Sequence, residues 1–173
     1  IEENPLERAD QQALEWIYED KDIAVVCKPA GMLSVPGKSQ RENVRSLVRQ
    51  RHPEATGPMI VHRLDMATSG LLVVALNLKS YIDLQRQLEH SVQKRYVALL
   101  SRPHHGARSG QICLPLRPDL HDRPRQIVDA VHGRKAVTNY QQTGENRMNL
   151  YPLTGRTHQL RMHCAHADGL NNP

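Results

Sequence analysis

Two short aliphatic runs constrain the fold of this chain more than any other feature. Ile23–Cys27 and Leu71–Leu76 are each bounded by polar or glycine-containing turn segments. Runs of this length are typical of buried β-strands, and both fall far short of the ~20 apolar residues that a membrane span requires. The 173-residue chain has no Phe and one Trp, so its core has to be aliphatic. We therefore expect strands in both places, with Ile23–Cys27 buried on both faces.

Further patterns predict an α+β fold. Asn77 can cap a helix that runs through Leu88, and short apolar segments elsewhere indicate several more strands. There is no internal repeat, low-complexity tract or linker, so we expect a single domain over residues 1–173. The other predicted strands cover residues 16–18, 59–61, 94–100, 136–141 and 150–153, and the other predicted helices cover residues 41–51 and 158 onward.

The charge balance favours a polyanionic partner. Lys and Arg number 23 against 18 Asp and Glu, which gives a formal net charge of +5 and a sequence isoelectric point of about 9.3. Such a surface can bind nucleic acid through phosphate contacts and counterion release. The three cysteines, Cys27, Cys113 and Cys164, are far apart in the sequence and odd in number. This pattern indicates reduced thiols and a cytoplasmic protein rather than a disulfide framework or a thiolate zinc site.

One polar segment between the predicted strands carries a candidate catalytic carboxylate. In His62–Leu71, Asp65 follows Arg63 and precedes a Thr-Ser-Gly turn. A carboxylate at the end of an apolar strand can act as a nucleophile or a base. The alternative is an ordinary loop aspartate whose oxygens accept hydrogen bonds from backbone N–H groups.

Two later segments add an aromatic ring and a cluster of bases. Tyr96 follows two cations in Lys94–Leu99 and could offer its ring to a nucleobase, although strand tyrosines are common. Leu153–His163 contains two Arg and two His but no carboxylate. Such a stretch requires an external anion or an internal Asp, and Arg156 could pair with a carboxylate elsewhere in the chain.

Together these segments resemble the RluA family of RNA pseudouridine synthases. His62–Leu71 matches the family's HRLD-x-x-TSGL segment, Lys94–Leu99 matches K-x-Y-x-A-L, and Leu153–His163 contains TGR-S/T-HQ-I/L-R. Cys27–Gly31 is similar to NKP-x-G with Cys in place of Asn, and Gly133–Tyr140 is similar to G-K-x-A-x-T-x-Y with Arg in place of Lys. The matches follow the family's order from about residue 15 to the end of the chain.

The resemblance implies the pseudouridine synthase fold, with a mixed and largely antiparallel central sheet flanked by helices and loops. It also implies that Asp65 is the nucleophile or base that initiates glycosidic cleavage, that Tyr96 stacks on the target uracil, and that Arg156 forms a salt bridge with Asp65. No cofactor or metal is expected, because uridine and pseudouridine have the same atoms. The residues expected to bind RNA are Arg63, His62, Lys28 and Arg161.

The expected partner is structured RNA, either ribosomal RNA or transfer RNA stem-loops, since bases in loops leave the stack more readily. We expect a monomer that has no membrane association. The family's next segment, P-I/L-x-G-D-x-x-Y, does not occur in the sequence, and this predicts a catalytic domain truncated at its C-terminal end.

Three other functions compete with this interpretation. A zinc hydrolase would use His158, His163 and His166, but their spacing is not HExxH and no carboxylate lies among them. A serine hydrolase would use Ser69, which lacks the G-x-S-x-G pattern. A non-catalytic RNA-binding fragment of such an enzyme is the strongest alternative, because a basic surface alone can bind stem-loops.

Overall fold

A computed structural model describes residues 13–37 and 42–166. The described residues up to Val92 form one compact unit, and those from Gln93 onward form a second. Helices and largely antiparallel strands occur in both, which confirms the predicted α+β class. The prediction of a single domain over the whole chain stays a prediction. Within the described part of the chain, every helix is too short or too polar to cross a membrane.

The first unit contains a three-stranded antiparallel sheet in the order β1-β2-β3. Asp20 accepts hydrogen bonds at Oδ1 from the backbone N–H groups of Asp22 and Ile23, and this turn joins the first two strands. All three strands occur where the apolar pattern predicted them. Their bounds are Glu15–Glu19 for β1, Ile23–Lys28 for β2 and Gly70–Ala75 for β3.

β2 alternates between buried and half-buried residues. Ala24, Val26 and Lys28 are fully buried, whereas the residues between them are only partly shielded. The prediction that both faces are buried is therefore wrong. In an antiparallel sheet one face packs on the core while the other can remain solvated. As a consequence, a lysine at the end of the strand lies on the buried face.

Two helices of the first unit begin at asparagine caps. In α1, Val44–Arg51, the Asn43 side chain accepts from the backbone N–H of Ser46 as part of a capping box. In α2, Leu78–His90, Asn77 accepts in the same way from Ser80, as the sequence predicted. α1 begins later than the predicted residue 41, which lies outside the described residues.

Residues 59–61 do not form the predicted strand. Met59 has φ of 63°, which extended backbone does not allow, and Ile60 makes only an isolated bridge to Val74 of β3. The Met59 carbonyl still accepts from the N–H of Ala75, so the segment contacts β3 without continuing as a strand. The chain then continues into the His62–Asp65 segment.

The described residues of the second unit form a four-stranded antiparallel sheet in the order β4-β9-β8-β5, a separate two-stranded β6-β7 hairpin and one helix. The predicted strands at 94–100, 136–141 and 150–153 correspond to β4, β8 and β9. The bounds are Tyr96–Leu99 for β4, Ser109–Cys113 for β5, Leu116–Pro118 for β6, Gln126–Val128 for β7, Val137–Gly144 for β8, Arg147–Pro152 for β9 and Gln159–His166 for α3.

Three strands of this unit were not predicted. β5 exposes four of its five residues, and only Ile112 is buried. β6 and β7 have three residues each. Such strands lack an apolar period, so only their pairing with neighbours defines them. The predicted aliphatic core is confirmed, since every buried hydrophobic side chain of the described residues is Ala, Val, Leu, Ile or Met.

Candidate active site

Asp65 lies in a tight turn shortly before β3. Its carbonyl accepts from the N–H of Thr68 at 3.0 Å, which closes the turn. Leu64 on one side is buried, Met66 on the other is exposed, and Asp65 itself is half-buried. The chain then enters β3 at Gly70, whose φ of 133° requires glycine. The carboxylate is thus carried by a short loop with an anchored residue on its N-terminal side.

Ser34 provides part of that anchor. The Ser34 hydroxyl donates to the carbonyl of Leu64 at 2.9 Å and accepts from the N–H of the same residue at 3.1 Å. Ser34 is itself buried. Earlier in the same segment, the N–H of Gly31 donates to the carbonyl of Met66 at 2.7 Å. The backbone on both sides of Asp65 is therefore bonded to the segment that follows β2.

The buried Lys28 side chain links the loop after β2 to the loop that carries Asp65. Its ammonium donates to the carbonyls of Pro29 and Met32 at 2.8 Å and to the carbonyl of Met66 at 3.1 Å. Burial lowers the pKa of Lys28 to about 8, and the negative charge of Asp65 opposes that shift. The side chain is fully shielded from solvent. This burial does not fit the predicted direct contact between Lys28 and RNA, and it points instead to a role in holding the loop.

The two residues before Leu64 have different environments. Arg63 is exposed, so its guanidinium is accessible to an RNA phosphate. His62 is half-buried and accepts at Nε2 from the backbone N–H of Val73 at 3.1 Å. That bond ties the start of the segment to β3. The predicted RNA contacts of Arg63 and His62 stay predictions.

Tyr96 is the first residue of β4, at the edge of the second unit's sheet. It pairs with Leu150 of β9 and is half-buried, whereas its neighbour Val97 points to the opposite, exposed face. Its role against a uracil ring stays a prediction. Arg161 is exposed on α3, and its predicted RNA contact also remains untested.

Arg156 lies in the loop between β9 and α3. Its backbone N–H donates to Oε1 of Gln159 at 2.9 Å, and its carbonyl accepts from the Gln159 backbone N–H at 3.1 Å. The guanidinium Nε donates to the carbonyl of Lys135 at 3.0 Å, although the side chain is exposed. The arginine is therefore held at both its backbone and its side chain. The predicted ion pair with Asp65 stays a prediction.

Ser34 and Gln159 were not predicted from the sequence as functional residues. Gln159 stands inside the TGR-S/T-HQ segment, and the fixed glutamine of that pattern could have indicated a buried amide. Ser34 offered no such signal, because a serine in a loop is ordinary. Both side chains act on backbone atoms that are remote in sequence, at Leu64 and Val137 respectively.

The clustered histidines of the zinc alternative make contacts of their own. His163 is buried and bonds to Thr138 through Nδ1 at 2.9 Å, whereas His166 bonds to the carbonyl of Met162 through Nδ1 at 2.8 Å. No group of three or more His, Cys, Asp or Glu among residues 13–37 and 42–166 is arranged to hold a metal ion.

Comparison with known proteins identifies the class. The family model described as RNA pseudouridylate synthase matches residues 22–166, so the chain belongs to this family of RNA-modifying isomerases. Among its relatives is the dual-specificity RNA pseudouridine synthase RluA of Yersinia pestis, which is 43% identical over 155 residues, covering 85% of this chain and 73% of the relative. RluA of Escherichia coli (strain K12) is 41% identical over 155 residues, covering 85% of this chain and 69% of the relative.

Solved structures agree with this assignment. Human RNA pseudouridylate synthase domain containing 1 superimposes with a TM-score of 0.72 at 28% identity, over 96% of this chain and 68% of that one. Human RNA pseudouridylate synthase domain containing 4 shares the fold with a TM-score of 0.67 at 22% identity, over 94% of this chain and 66% of that one. The predicted RluA-type family, enzyme class and fold are confirmed.

Proposed function

We propose that this RNA pseudouridine synthase acts on uridines in transfer RNA and ribosomal RNA stem-loops, with Asp65 as its catalytic nucleophile. The observation that carries the proposal is the anchoring of the Asp65 loop. Hydrogen bonds from Ser34, Gly31 and Lys28 hold the backbone at Leu64 and Met66, on either side of Asp65. A carboxylate carried by such a loop is preorganised for attack on a bound uridine.

The isomerisation requires no external reagent. The bond between N1 of uracil and C1′ of ribose breaks, the ring turns, and a bond forms between C5 and C1′. The C5 proton leaves to a base, and N1 gains a proton, so atoms and electrons balance. One carboxylate oxygen can serve this reaction either by adding to the uracil ring or by attacking C1′.

Tyr96 and Arg156 complete the proposed catalytic set. The family resemblance assigns Tyr96 to the face of the target uracil, where a stacked ring offsets the cost of extruding the base. It assigns Arg156 to the Asp65 carboxylate, where a guanidinium would fix the orientation of the nucleophile. The bonds from Arg156 to Gln159 and Lys135 support this role, since they limit the motion of a long side chain.

Two arguments support the proposed RNA classes: the names of the relatives and the cost of extruding a uridine. RluA of Y. pestis and of E. coli are named dual-specificity RNA pseudouridine synthases. A uridine in a loop costs less to extrude than one within a duplex, which favours stem-loops in both classes of RNA. In this proposal the enzyme acts in the cytoplasm as a monomer.

Asp65→Asn tests the catalytic assignment. The change keeps the size of the side chain but removes the nucleophilic oxygen, so pseudouridine formation on transfer RNA and ribosomal RNA should fall below detection in chromatographic nucleoside analysis. RNA affinity should remain within about threefold. Asp83→Asn, on the exposed surface of α2, is the matched control and should retain activity.

Two results would contradict the proposal. Full activity of Asp65→Asn would exclude Asp65 as the nucleophile. RNA binding by the wild-type chain without product on any transfer or ribosomal RNA would favour the non-catalytic RNA-binding alternative. For an active enzyme, mapping of pseudouridines in cellular RNA, with and without the protein, would identify the substrate through the missing sites.

A further inference from the structure

The side-chain amide of Gln159 is buried, and all of its hydrogen-bonding capacity is used. Oε1 accepts from the Arg156 backbone N–H at 2.9 Å and lies 2.8 Å from the Thr154 hydroxyl. Nε2 donates to the carbonyl of Val137 and to the hydroxyl oxygen of Thr138, both at 3.0 Å. The backbone partners determine the orientation of the amide, because an N–H can only donate and a carbonyl can only accept. Glutamate could not replace it without placing an oxygen against the Val137 carbonyl.

Thr138 extends this network to His163. The carbonyl of Leu114 near His163 Nε2 can only accept, so in a neutral ring the proton is on Nε2 and Nδ1 accepts from the Thr138 hydroxyl, 2.9 Å away. His163 Nε2 then carries the ring proton toward the carbonyl of Leu114, at 3.4 Å. Burial lowers the pKa of the His163 ring, in agreement with the neutral form that this order of donors requires. Both side chains are fully shielded from solvent.

The network ends at Arg156. Gln159 bonds to the Arg156 N–H through its side chain and to the Arg156 carbonyl through its backbone. The other end of the amide is bonded to Val137 and Thr138, where β8 begins. Lys135, just before β8, accepts from Arg156 Nε. The backbone and the guanidinium of Arg156 are thus both bonded to the segment where β8 begins, the backbone through Gln159 and the guanidinium through Lys135.

We propose that Gln159, Thr138 and His163 are positioning residues that hold Arg156 in its catalytic orientation. This inference rests on the proposed function, in which Arg156 acts on the Asp65 carboxylate. The three residues touch no substrate in this scheme. They restrict the loop between β9 and α3. Without these bonds, an exposed arginine next to Gly155 would have many accessible conformations.

Thr138→Val and Thr138→Ser form the decisive pair. Valine has the shape of threonine but can neither accept from Gln159 nor donate to His163, whereas serine retains the hydroxyl. We expect Thr138→Val to lower kcat at least about tenfold with KM for RNA within about threefold, and Thr138→Ser to keep kcat within about threefold of wild type. Ile112→Val controls for a general loss of packing, because Ile112 is a buried residue that pairs with Thr138 across β5 and β8.

Amide hydrogen exchange of Arg156 supplies a readout that is independent of catalysis. Its N–H should exchange about tenfold faster in Thr138→Val than in wild type, and Thr138→Ser should exchange at close to the wild-type rate. If Thr138→Val does not fold, His163→Leu and His163→Asn make the same comparison from the other end of the network. Asparagine can still offer an acceptor to the Thr138 hydroxyl, whereas leucine cannot.

The outcomes separate this inference from the proposed function. A wild-type chain that makes no pseudouridine would overturn the proposed function. An active wild-type chain in which Thr138→Val keeps its full kcat would overturn the positioning role alone. Equal losses of kcat in Thr138→Val, Thr138→Ser and Ile112→Val would also overturn it, because general packing would then account for the effect.

Discussion

The ammonium of Lys28 lies 3.1 Å from the carbonyl oxygen of Met66, the residue that follows Asp65. Lys28 ends β2, and the other two bonds of its ammonium go to Pro29 and Met32 in the loop that follows. A buried cation therefore links two loops that are remote in sequence. Three carbonyl dipoles and the charge of Asp65 compensate for part of its desolvation.

Lys28→Met should impair catalysis without weakening RNA binding. The change removes the bonds that hold the Asp65 loop, so we expect pseudouridine formation to fall at least about tenfold. RNA affinity, measured by filter binding or fluorescence anisotropy, should stay within about threefold because the side chain is not exposed to a ligand. Lys79→Met, at an exposed position of α2, is the control. An equal loss of affinity and activity in Lys28→Met would instead support direct contact with RNA.

The pKa of Lys28 predicts how stability changes in alkaline solution. The pKa falls from 10.5 in the unfolded chain to about 8 in the folded protein. Between these values the unfolded state binds more protons, so this group makes the free energy of unfolding rise with pH and then level off above about 10.5. Below about 8 its contribution does not change with pH.

Urea denaturation of wild type and Lys28→Met from pH 7 to 10.5 measures this effect. The free-energy difference between the two proteins should move in favour of wild type as the pH rises. A comparison with the variant is needed because Cys164 acts in the opposite direction. Burial raises the pKa of its thiol from 9.0 to about 11, so the stability it contributes declines as the pH passes 9. A pH-independent difference between the two proteins would contradict the assignment to Lys28.

Two substitutions of Tyr96 distinguish stacking by its aromatic ring from a chemical role of its hydroxyl group. Tyr96→Phe keeps the ring and should retain RNA affinity, whereas Tyr96→Ala removes the stacking surface and should lower kcat/KM by about one to two orders of magnitude. Single-turnover measurements of pseudouridine formation would show the difference. If Tyr96→Phe were as impaired as Tyr96→Ala, the hydroxyl rather than the ring face would be the required group.

Arg63→Ala should weaken RNA binding through the loss of one phosphate contact. Its side chain is exposed beside the anchored Leu64. We expect the slope of log K against log salt concentration to become shallower by about one unit. Lys79→Ala offers an exposed cation on α2 for comparison. An unchanged slope in Arg63→Ala would exclude a phosphate contact at this position.

Local patterns predicted the elements that local forces stabilise. The Ile23–Cys27 and Leu71–Leu76 runs became β2 and β3, and Asn77 capped α2 where the sequence indicated. The strand at residues 59–61 was wrong because the positive φ of Met59 has no signature in a non-glycine residue. β5 was missed because its single buried residue gives no period, and it exists through its pairing with β8.

The order of short motifs determined by itself what kind of protein this is, since catalytic groups and their flanking turns are encoded over stretches of ten residues or so. The roles of Lys28 and Gln159 were decided only in the folded chain. Their hydrogen bonds reach carbonyls 38 and 22 residues away, at Met66 and Val137. The sequence alone does not distinguish a buried lysine from an exposed one. Only the fold determines whether water or a set of carbonyls surrounds the charge.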